Sequence, residues 1–261
     1  GRSVKLTKCH SLFVLTKEGV KSKKTDEITK EDYVVAPLII PESDTIKEIN
    51  VVSELSKTDH ADKLIIEEVP KRIYSLRKKE MMVYFKTCYN QPHQAYYEHK
   101  KKRILPIRLY YLLGEKTLRG CNIRPTSAVS ITPFLKVDKD LIRFLGLYAA
   151  EGWLSNIRNR YEVIFALNKK ELDLVETIRK SAKKCFNLDI YVVPDGENGI
   201  KVRINSYALW ILLNDVLKIS KGAKNKRIPE LIFNISKPLQ QEFLRYLSLG
   251  DYGSTASEQL S

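Results

Sequence analysis

The chain has 261 residues, of which 43% are hydrophobic, so it is long enough to bury a sizeable core and form two or three domains. Its formal net charge of +14 indicates a polyanionic partner. No apolar run is long enough to span a membrane, and the four cysteines contain no C-x-x-C pair, which argues against a zinc site and a disulfide framework. We therefore expect a cytoplasmic protein with reduced thiols and no signal peptide.

Residues 1 to about 70 predict a β-rich domain. Apolar patterns indicate short strands at 4–7, 11–15 and 32–37. The last of these is closed by a proline, which cannot occupy a central position in a sheet. A mixed acidic segment follows, with a helix predicted around 49–56.

Residues 71–130 carry most of the excess positive charge: 14 Lys and Arg against three acids, together with seven of the 14 tyrosines. Basic clusters interleaved with aromatic residues suit contact with phosphates and bases, and the competing interpretation is a solvated helical surface. The stretch is predicted to be mostly helical, with an apolar stripe along 105–113 that ends at Gly114. Short basic helices with a tight turn predict a helix-turn-helix-like module.

Residues 121–136 contain two prolines and several Ser and Thr, and are predicted to be a linker. From there the pattern predicts, in order, a helix, strands, a helix, a hairpin and a helix. Asp138 or Asp140 can cap the first of these helices at its amino-terminal end. The later elements are predicted as a strand at 161–166, an amphipathic helix at 169–186 with Leu172, Leu174, Val175 and Ile178 on its apolar side, a hairpin of 189–193 with 200–204, and an apolar helix at 207–217.

Two apolar helical blocks that end in an acid lie about a hundred residues apart. The block at 144–152 contains Glu151, and the block at 243–251 ends in Asp251. If the two helices pack together, these carboxylates emerge side by side. Their repulsion is best relieved by bound divalent cations. A metal-loaded carboxylate pair on a basic protein predicts hydrolysis of a phosphodiester.

Small residues support that packing. Gly146 and Ala150 lie on one face of the first block and allow a close helix approach, whereas Tyr246 and Gly250 repeat the spacing imperfectly in the second. A single such block is more often ordinary core packing. Two copies, the second preceded by a Lys-rich loop at 221–229, favour a functional site.

The two blocks resemble the signature helices of the LAGLIDADG homing endonucleases, in the form embedded in inteins. Residues 224–229 look like the Lys-Ile-Pro block that precedes the second helix, and this resemblance covers about 136–261. Thr-Lys-Cys-His at 7–10 resembles the Thr-x-x-His block of the intein splicing domain, and 31–37 resembles the strand that follows it. The basic stretch at 71–130 is similar to the DNA-recognition module of some archaeal DNA-polymerase inteins.

The resemblance implies an α+β protein in three parts. Residues 1–70 would be part of a β-rich, Hint-like splicing domain, and 71–135 a basic helical DNA-recognition insert and linker. Residues 136–261 would be an αββαββα endonuclease domain whose second repeat is incomplete. The implied activity is an Mg²⁺-dependent double-strand break at a long, specific DNA site, with the host extein protein as a second partner.

The resemblance also implies roles for particular residues. Glu151 and Asp251 would be the metal-binding catalytic carboxylates, and Lys226 the basic residue near the scissile phosphate, with Lys224 as the alternative. Thr7 and His10 would polarise the peptide bond at the upstream splice junction. The residues expected to contact DNA are Lys78, Lys79, Lys101, Lys102, Arg103, Arg108, Lys224 and Arg227.

Some features depart from the family pattern. Tyr246 stands where a small residue is preferred and Tyr252 where glycine is usual, so a non-cleaving DNA-binding protein on the same scaffold is one alternative. An intein that retains splicing alone is another. Gly1 is not a splicing nucleophile, no terminal His-Asn pair is present, and the second repeat stops after its helix. We therefore expect a fragment that cannot splice as written.

Overall fold

The computed structural model describes residues 10–35, 45–125, 130–219 and 227–252, with the backbone alone for the last two. The chain divides into two compact units, one ending at Glu42 and the other beginning at Ser43. Several predictions lie outside the described residues: the strand at 4–7, Thr7, Lys224, Lys226, and the side chains of Asp251 and Tyr252.

The first unit contains a small antiparallel sheet. Strands β1 (Ser11–Thr16) and β2 (Gly19–Lys24) form a hairpin, and β3 (Tyr33–Val34) pairs with the other edge of β1. The turn is stabilised by the Thr16 hydroxyl, which donates to the Gly19 carbonyl over 2.8 Å. The strand predicted at 11–15 is confirmed, whereas the one predicted at 32–37 is shorter within the described residues. A Hint-like splicing domain stays a prediction.

The first part of the second unit mixes short helices with strands that pair over long sequence distances. Helix α1 (Val51–Ser56) follows strand β4 (Glu48–Asn50) directly, and the Asn50 side chain caps it by accepting from the Ser53 amide over 3.0 Å. The helix predicted around 49–56 is thereby confirmed. The elements of this part are β4 (Glu48–Asn50), α1 (Val51–Ser56), β5 (Leu64–Glu67), α2 (Lys71–Leu76), α3 (Lys78–Cys88), α4 (Pro92–Lys102), β6 (Leu105–Pro106), α5 (Glu115–Leu118), β7 (Asn122–Pro125) and β8 (Phe134–Lys136).

Two predictions are wrong in this part. The apolar stripe at 105–113 is not an α-helix: β6 pairs with β5, and a 3-10 turn over Ile107–Leu112 follows, because extended Pro106 keeps the chain in strand geometry before the turn. The segment at 121–136 is not a plain linker either. It supplies β7, which pairs with β5, and β8, which pairs with β4. These partners lie tens of residues away, so local composition does not reveal them.

Helices α3 and α4 are joined by a tight turn, which confirms the predicted pair of short basic helices. Their shared core is aromatic: Tyr74, Phe85 and Tyr96 are buried, and the Tyr96 hydroxyl donates to the Tyr74 carbonyl over 2.6 Å. Burial of these rings supplies the apolar area that such short helices need, because helices of this length are marginal alone.

The rest of the second unit follows the predicted order of helix, two strands, helix, hairpin and helix. Asp138 caps the first helix by accepting from the Asp140 and Leu141 amides at 3.0 and 3.3 Å. The elements are α6 (Lys139–Glu151), β9 (Gly152–Ile157), β10 (Arg160–Asn168), α7 (Leu172–Phe186), β11 (Tyr191–Asp195), β12 (Gly199–Asn205), α8 (Tyr207–Ile211) with π-helical residues Leu212–Val216, and α9 (Lys237–Tyr252). The four strands pair antiparallel in the order β11-β12-β10-β9.

One face of this sheet packs on α6 and α7. Val163 and Phe165 on β10 are fully buried there, and the Phe165 ring lies 5.3 Å from that of Phe144 on α6. Phe186 on α7 contacts the same Phe144 ring at 5.2 Å. Leu172 was expected on the apolar side of α7 but is 66% exposed, because it lies at the first helical position and points away from the sheet.

Among the described residues, no helix is long and apolar enough to cross a membrane. The described cysteines, Cys88, Cys121 and Cys185, are all free thiols, and burial raises the pKa of Cys121 to about 11 and of Cys185 to about 12. Burial thus keeps the thiols of Cys121 and Cys185 protonated at neutral pH, whereas Cys88 is exposed.

Candidate functional site

Helices α6 and α9 run parallel with their backbones in close contact. A methyl group on Gly146 would lie 2.8 Å from the Phe243 carbonyl oxygen, which is part of the α9 backbone. A methyl group on Gly250 would overlap the Cβ of Ala150. Each helix therefore contributes one glycine that no larger residue can replace without separating the pair. The close approach predicted from the two blocks is present in the structure.

This packing places Glu151 beside the end of α9. Glu151 is the last residue of α6, is half-buried, and is followed immediately by strand β9. A methyl group on Gly250 would lie 3.5 Å from its Cγ, so the Glu151 side chain lies against α9 at the residue before Asp251. The side chain of Asp251 is outside the described residues, and the pairing of the two carboxylates stays a prediction.

Tyr246 does not keep the two helices apart. Its Cβ faces Gly146, where the missing side chain leaves the space that the tyrosine needs. Its ring is half-buried, and the Arg143 guanidinium lies 5.4 Å from the ring centroid. The tyrosine that departs from the small-residue pattern is thus accommodated within the close packing.

A charged contact joins the same helices near their amino-terminal ends. The Arg143 Nε donates to the Glu242 Oε1 over 2.5 Å, and both side chains are largely enclosed. Burial is the largest single influence and lowers the pKa of Arg143, but the hydrogen bond to Glu242 and the nearby Tyr246, Glu242 and Asp140 side chains together outweigh it, so the pKa is raised above its ordinary value. Arg143 therefore stays protonated at any physiological pH.

Glu151 supplies one carboxylate, the type of ligand that a hard divalent cation prefers. Within the described part of the chain, no three His, Cys, Asp or Glu residues cluster to hold a metal ion. Mg²⁺ does not need such a cluster, because it commonly binds through one or two carboxylates and completes its shell with water and substrate phosphate. The chemistry of Glu151 therefore fits such an ion, with Asp251 as the expected second ligand.

The solvent face of the sheet carries cations that the sequence patterns did not single out. Side chains alternate along β12, so Lys201 and Arg203 point away from the face that contains buried Val202. Arg203 donates to both carboxylate oxygens of Glu162 on β10, at 2.6 and 2.5 Å. The alternation of cations with apolar residues along β12 is the signal that would have identified this face.

The insert presents a second basic surface. Lys78, Lys79, Lys101 and Lys102 are exposed at the start of α3 and the end of α4. The Lys78 Nζ lies 5.7 Å from the centroid of the Tyr96 ring, which ties the start of α3 to α4. The structure therefore brings four of the predicted DNA-contacting lysines to the surface of one helical module.

Two other predicted DNA-contacting residues have partners within the protein. The Arg108 Nε donates to Asp62 over 2.6 Å, and this hydrogen bond holds the pKa of Asp62 below its usual range. Arg103 ends α4 in the left-handed conformation, and its guanidinium donates to the carbonyls of Glu68 and Val69 at 3.0 and 3.3 Å. Both have structural contacts, and their contact with DNA stays a prediction.

The remaining predicted site residues in the described ranges are Arg227 and His10. Arg227 lines a polar cleft of about 830 Å³ with Lys57, His60 and Asp215. His10 is exposed just before β1, and its carbonyl accepts from the amide and hydroxyl of Thr25, both at 2.7 Å. The roles of both residues stay predictions.

No family model matches this chain. It is 27% identical over 97% of its length to an uncharacterized protein, MJ1054, of Methanocaldococcus jannaschii, and covers 28% of that protein. It is 25% identical over 96% of its length to the DNA polymerase II large subunit of Thermococcus kodakarensis, of which it covers 13%. It is 31% identical over 48% of its length to the replication factor C small subunit of M. jannaschii, of which it covers 7%.

Among solved structures, the chain is similar to a crystal structure of I-DmoI in complex with DNA and Ca. The match covers 46% of this chain and 60% of that one, at 14% identity and a TM-score of 0.32. The chain spans less than a third of the length of each of the three curated relatives described above. It is thus similar to one segment of each of these archaeal proteins, which differ in name.

Proposed function

We propose that the chain is a site-specific DNA endonuclease that makes an Mg²⁺-dependent double-strand break and is carried within a protein-splicing intein. The observation that carries the proposal is the contact between α6 and α9, which brings Glu151 alongside the backbone that leads into Asp251. Acids at the ends of two closely packed helices in a strongly basic protein suit metal-assisted hydrolysis of a phosphodiester.

The relatives support the intein context. The matched segment is a small part of a DNA polymerase subunit and of a replication factor C subunit, which are different proteins. Nearly the whole chain also matches part of a third protein, MJ1054. A segment that recurs inside dissimilar host proteins behaves as an insertion and not as a part of the polymerase machinery. An intein is such an insertion, and its host extein protein would be a partner before splicing.

The chain's own residues have distinct tasks in this proposal. Glu151 and Asp251 would hold Mg²⁺, and Lys226 would place a cation beside the scissile phosphate. When bound, Mg²⁺ would supply Lewis-acid stabilisation of the negative charge that develops on the phosphate and leaving-group oxygens. In the complete intein, Thr7 and His10 would assist the acyl shift at the upstream splice junction.

The DNA would contact two basic surfaces. The solvent face of the sheet offers Lys201 and Arg203, which would exchange their ion pairs with Asp195 and Glu162 for phosphate contacts. The α3–α4 module offers its exposed lysines. Phosphate contacts of this kind supply affinity and position, whereas base contacts supply the sequence preference. A long recognition site is consistent with two separate surfaces. The accommodation of Tyr246 opposite Gly146 removes one reason to favour a non-cleaving protein on the same scaffold.

The direct test is digestion of a library of duplex DNA targets by the full chain, with Mg²⁺ and with EDTA. We expect cutting of both strands at one long site in Mg²⁺ and none in EDTA. The library should include host genes from which the insertion is missing, since an intein-borne endonuclease would act on the uninterrupted allele. Tight binding without any cutting would replace the proposal with a DNA-binding function.

Lys201→Gln is expected to weaken DNA binding uniformly across target sequences. Loss of one phosphate contact should reduce the slope of log affinity against log salt concentration by about 1. Binding is measured by fluorescence anisotropy in EDTA over a series of salt concentrations. Lys180→Gln is the matched control, because Lys180 is an exposed lysine on α7, which covers the other face of the sheet. Equal slopes in both variants would exclude the sheet face as a DNA contact.

A further inference from the structure

The contact between Arg143 and Glu242 lies well away from the proposed catalytic centre, on the same pair of helices. Arg143 is 31% and Glu242 12% exposed, and the hydrogen bond that joins them spans 2.5 Å. The Arg143 guanidinium also lies 5.4 Å from the centroid of the Tyr246 ring and 3.8 Å from an Asp140 carboxylate oxygen. Arg143 is thus held by one residue of its own helix and two of the partner helix.

The Arg143–Glu242 contact lies the same number of residues before the site on both helices. Arg143 precedes Glu151 by eight residues, and Glu242 precedes Gly250 by eight residues. At the helical rise per residue, both offsets are about 12 Å. Because the helices run parallel, sliding α9 along α6 displaces both contacts by the same distance. A shift that moved Glu151 past Gly250 would therefore also separate Arg143 from Glu242.

The glycine contacts alone do not determine this register. Close packing of small residues allows two backbones to approach, but dispersion and apolar contacts have little directional preference. A hydrogen bond between charged groups is directional and loses strength within a few tenths of an ångström. The arginine contact with the Tyr246 ring adds a second restraint on the rotation of α9.

We infer that Arg143, through Glu242 and Tyr246, is a positioning residue that sets the register of α9 on α6 and thereby aligns Glu151 with the end of α9. The inference rests on the proposed endonuclease function. Arg143 does not touch the reacting groups; it acts through the helix that bears Glu151. The competing role is a contribution to stability alone, as an ion pair between packed helices often makes.

The experiment separates stability from register. Arg143→Met leaves Glu242 as an enclosed charge without its arginine, and is expected to lower the urea midpoint of unfolding. The double variant Arg143→Met/Glu242→Leu removes both charges and is expected to return that midpoint close to the parent value. Because the directional contact is still missing, we expect its site to remain misaligned.

Metal affinity and single-turnover cleavage report on alignment. Terbium(III) luminescence, excited through nearby Trp153, measures cation binding without requiring any cleavage. In the double variant, we expect the terbium dissociation constant to rise and the single-turnover rate to fall, each by roughly 10-fold, the size of effect seen when groups that orient metal ligands are removed. Arg143→Lys, which keeps a cationic donor for Glu242, should recover part of both losses. Arg179→Met on α7, which breaks an exposed pair with Glu176, is the control expected to change neither.

The outcomes are distinguishable. If the parent chain binds terbium and cuts DNA, and the stable double variant does so equally well, the positioning role is overturned while the endonuclease proposal stands. If the parent chain neither binds terbium nor cuts DNA, the endonuclease proposal and the positioning role are both overturned. A double variant that folds with parental stability but binds terbium weakly and cuts slowly establishes the positioning role.

Discussion

Glu151→Gln is expected to reduce DNA cleavage by at least about 1,000-fold. The amide has nearly the same shape as the carboxylate but no charge, so the site loses a metal ligand and several kcal/mol of transition-state stabilisation. Affinity for target DNA in EDTA should change by no more than about threefold, because the basic surfaces that carry most of the binding energy are untouched. Single-turnover cleavage at saturating protein separates the two quantities.

The matched control is Glu176→Gln, the same chemical change at an exposed acid on α7. It should cut DNA at the parental rate. Cleavage by Glu151→Gln at that rate would show that the acid at the end of α6 is not part of the catalytic site. Asp251→Asn is expected to behave as Glu151→Gln does, since the proposal gives both acids the same task.

Gly146→Ala and Gly250→Ala are each expected to destabilise the fold by about 1–3 kcal/mol. Alanine is the better helix former by roughly 0.5–1 kcal/mol, so intrinsic propensity alone would predict the opposite sign. The steric cost prevails because the added methyl group meets the Phe243 carbonyl in one variant and the Cβ of Ala150 in the other, and neither can move aside as a flexible side chain could. The midpoint of urea unfolding provides the measurement.

Gly120→Ala is the control, because a methyl group there would lie 3.6 Å from the Thr117 carbonyl oxygen, which is an ordinary contact distance. A second variant tests the mechanism directly. In Gly250→Ala/Ala150→Gly, the methyl group is moved from one helix to the other, so the clash disappears and most of the lost stability should return. A double variant no more stable than Gly250→Ala would show that the cost has another origin.

The order of elements from α6 to α8 was predictable because each element has a strong local signal. Asp138 caps α6, buried residues recur at helical spacing along α7, and the turn at 195–199 joins two short apolar strands. These signals act over a few residues, so they do not depend on where distant parts of the chain lie. Leu172 shows the limit of the method, since a helix pattern does not reveal which of its end residues reaches the core.

The insert was harder to predict. Strand β7 pairs with β5 and β8 pairs with β4, over separations of roughly 60 and 90 residues. A strand of three or four residues has too few side chains to show an alternating pattern, and its stability comes from the partner strand. Lys201 and Arg203 differ in this respect, because they alternate with the apolar residues of the seven-residue strand β12, and that pattern is visible in the sequence.

The basic character of the chain, the two helices that end in acids, and the glycines that let these helices approach are all visible in the amino-acid sequence. Each of these follows from residue type and spacing along one segment. The packing of α6 on α9 was needed to show that Gly146 makes room for Tyr246, that Glu151 lies against Gly250, and that Arg143 reaches Glu242. Those contacts join residues about a hundred positions apart, and their geometry depends on how two helices pack, which no local pattern specifies.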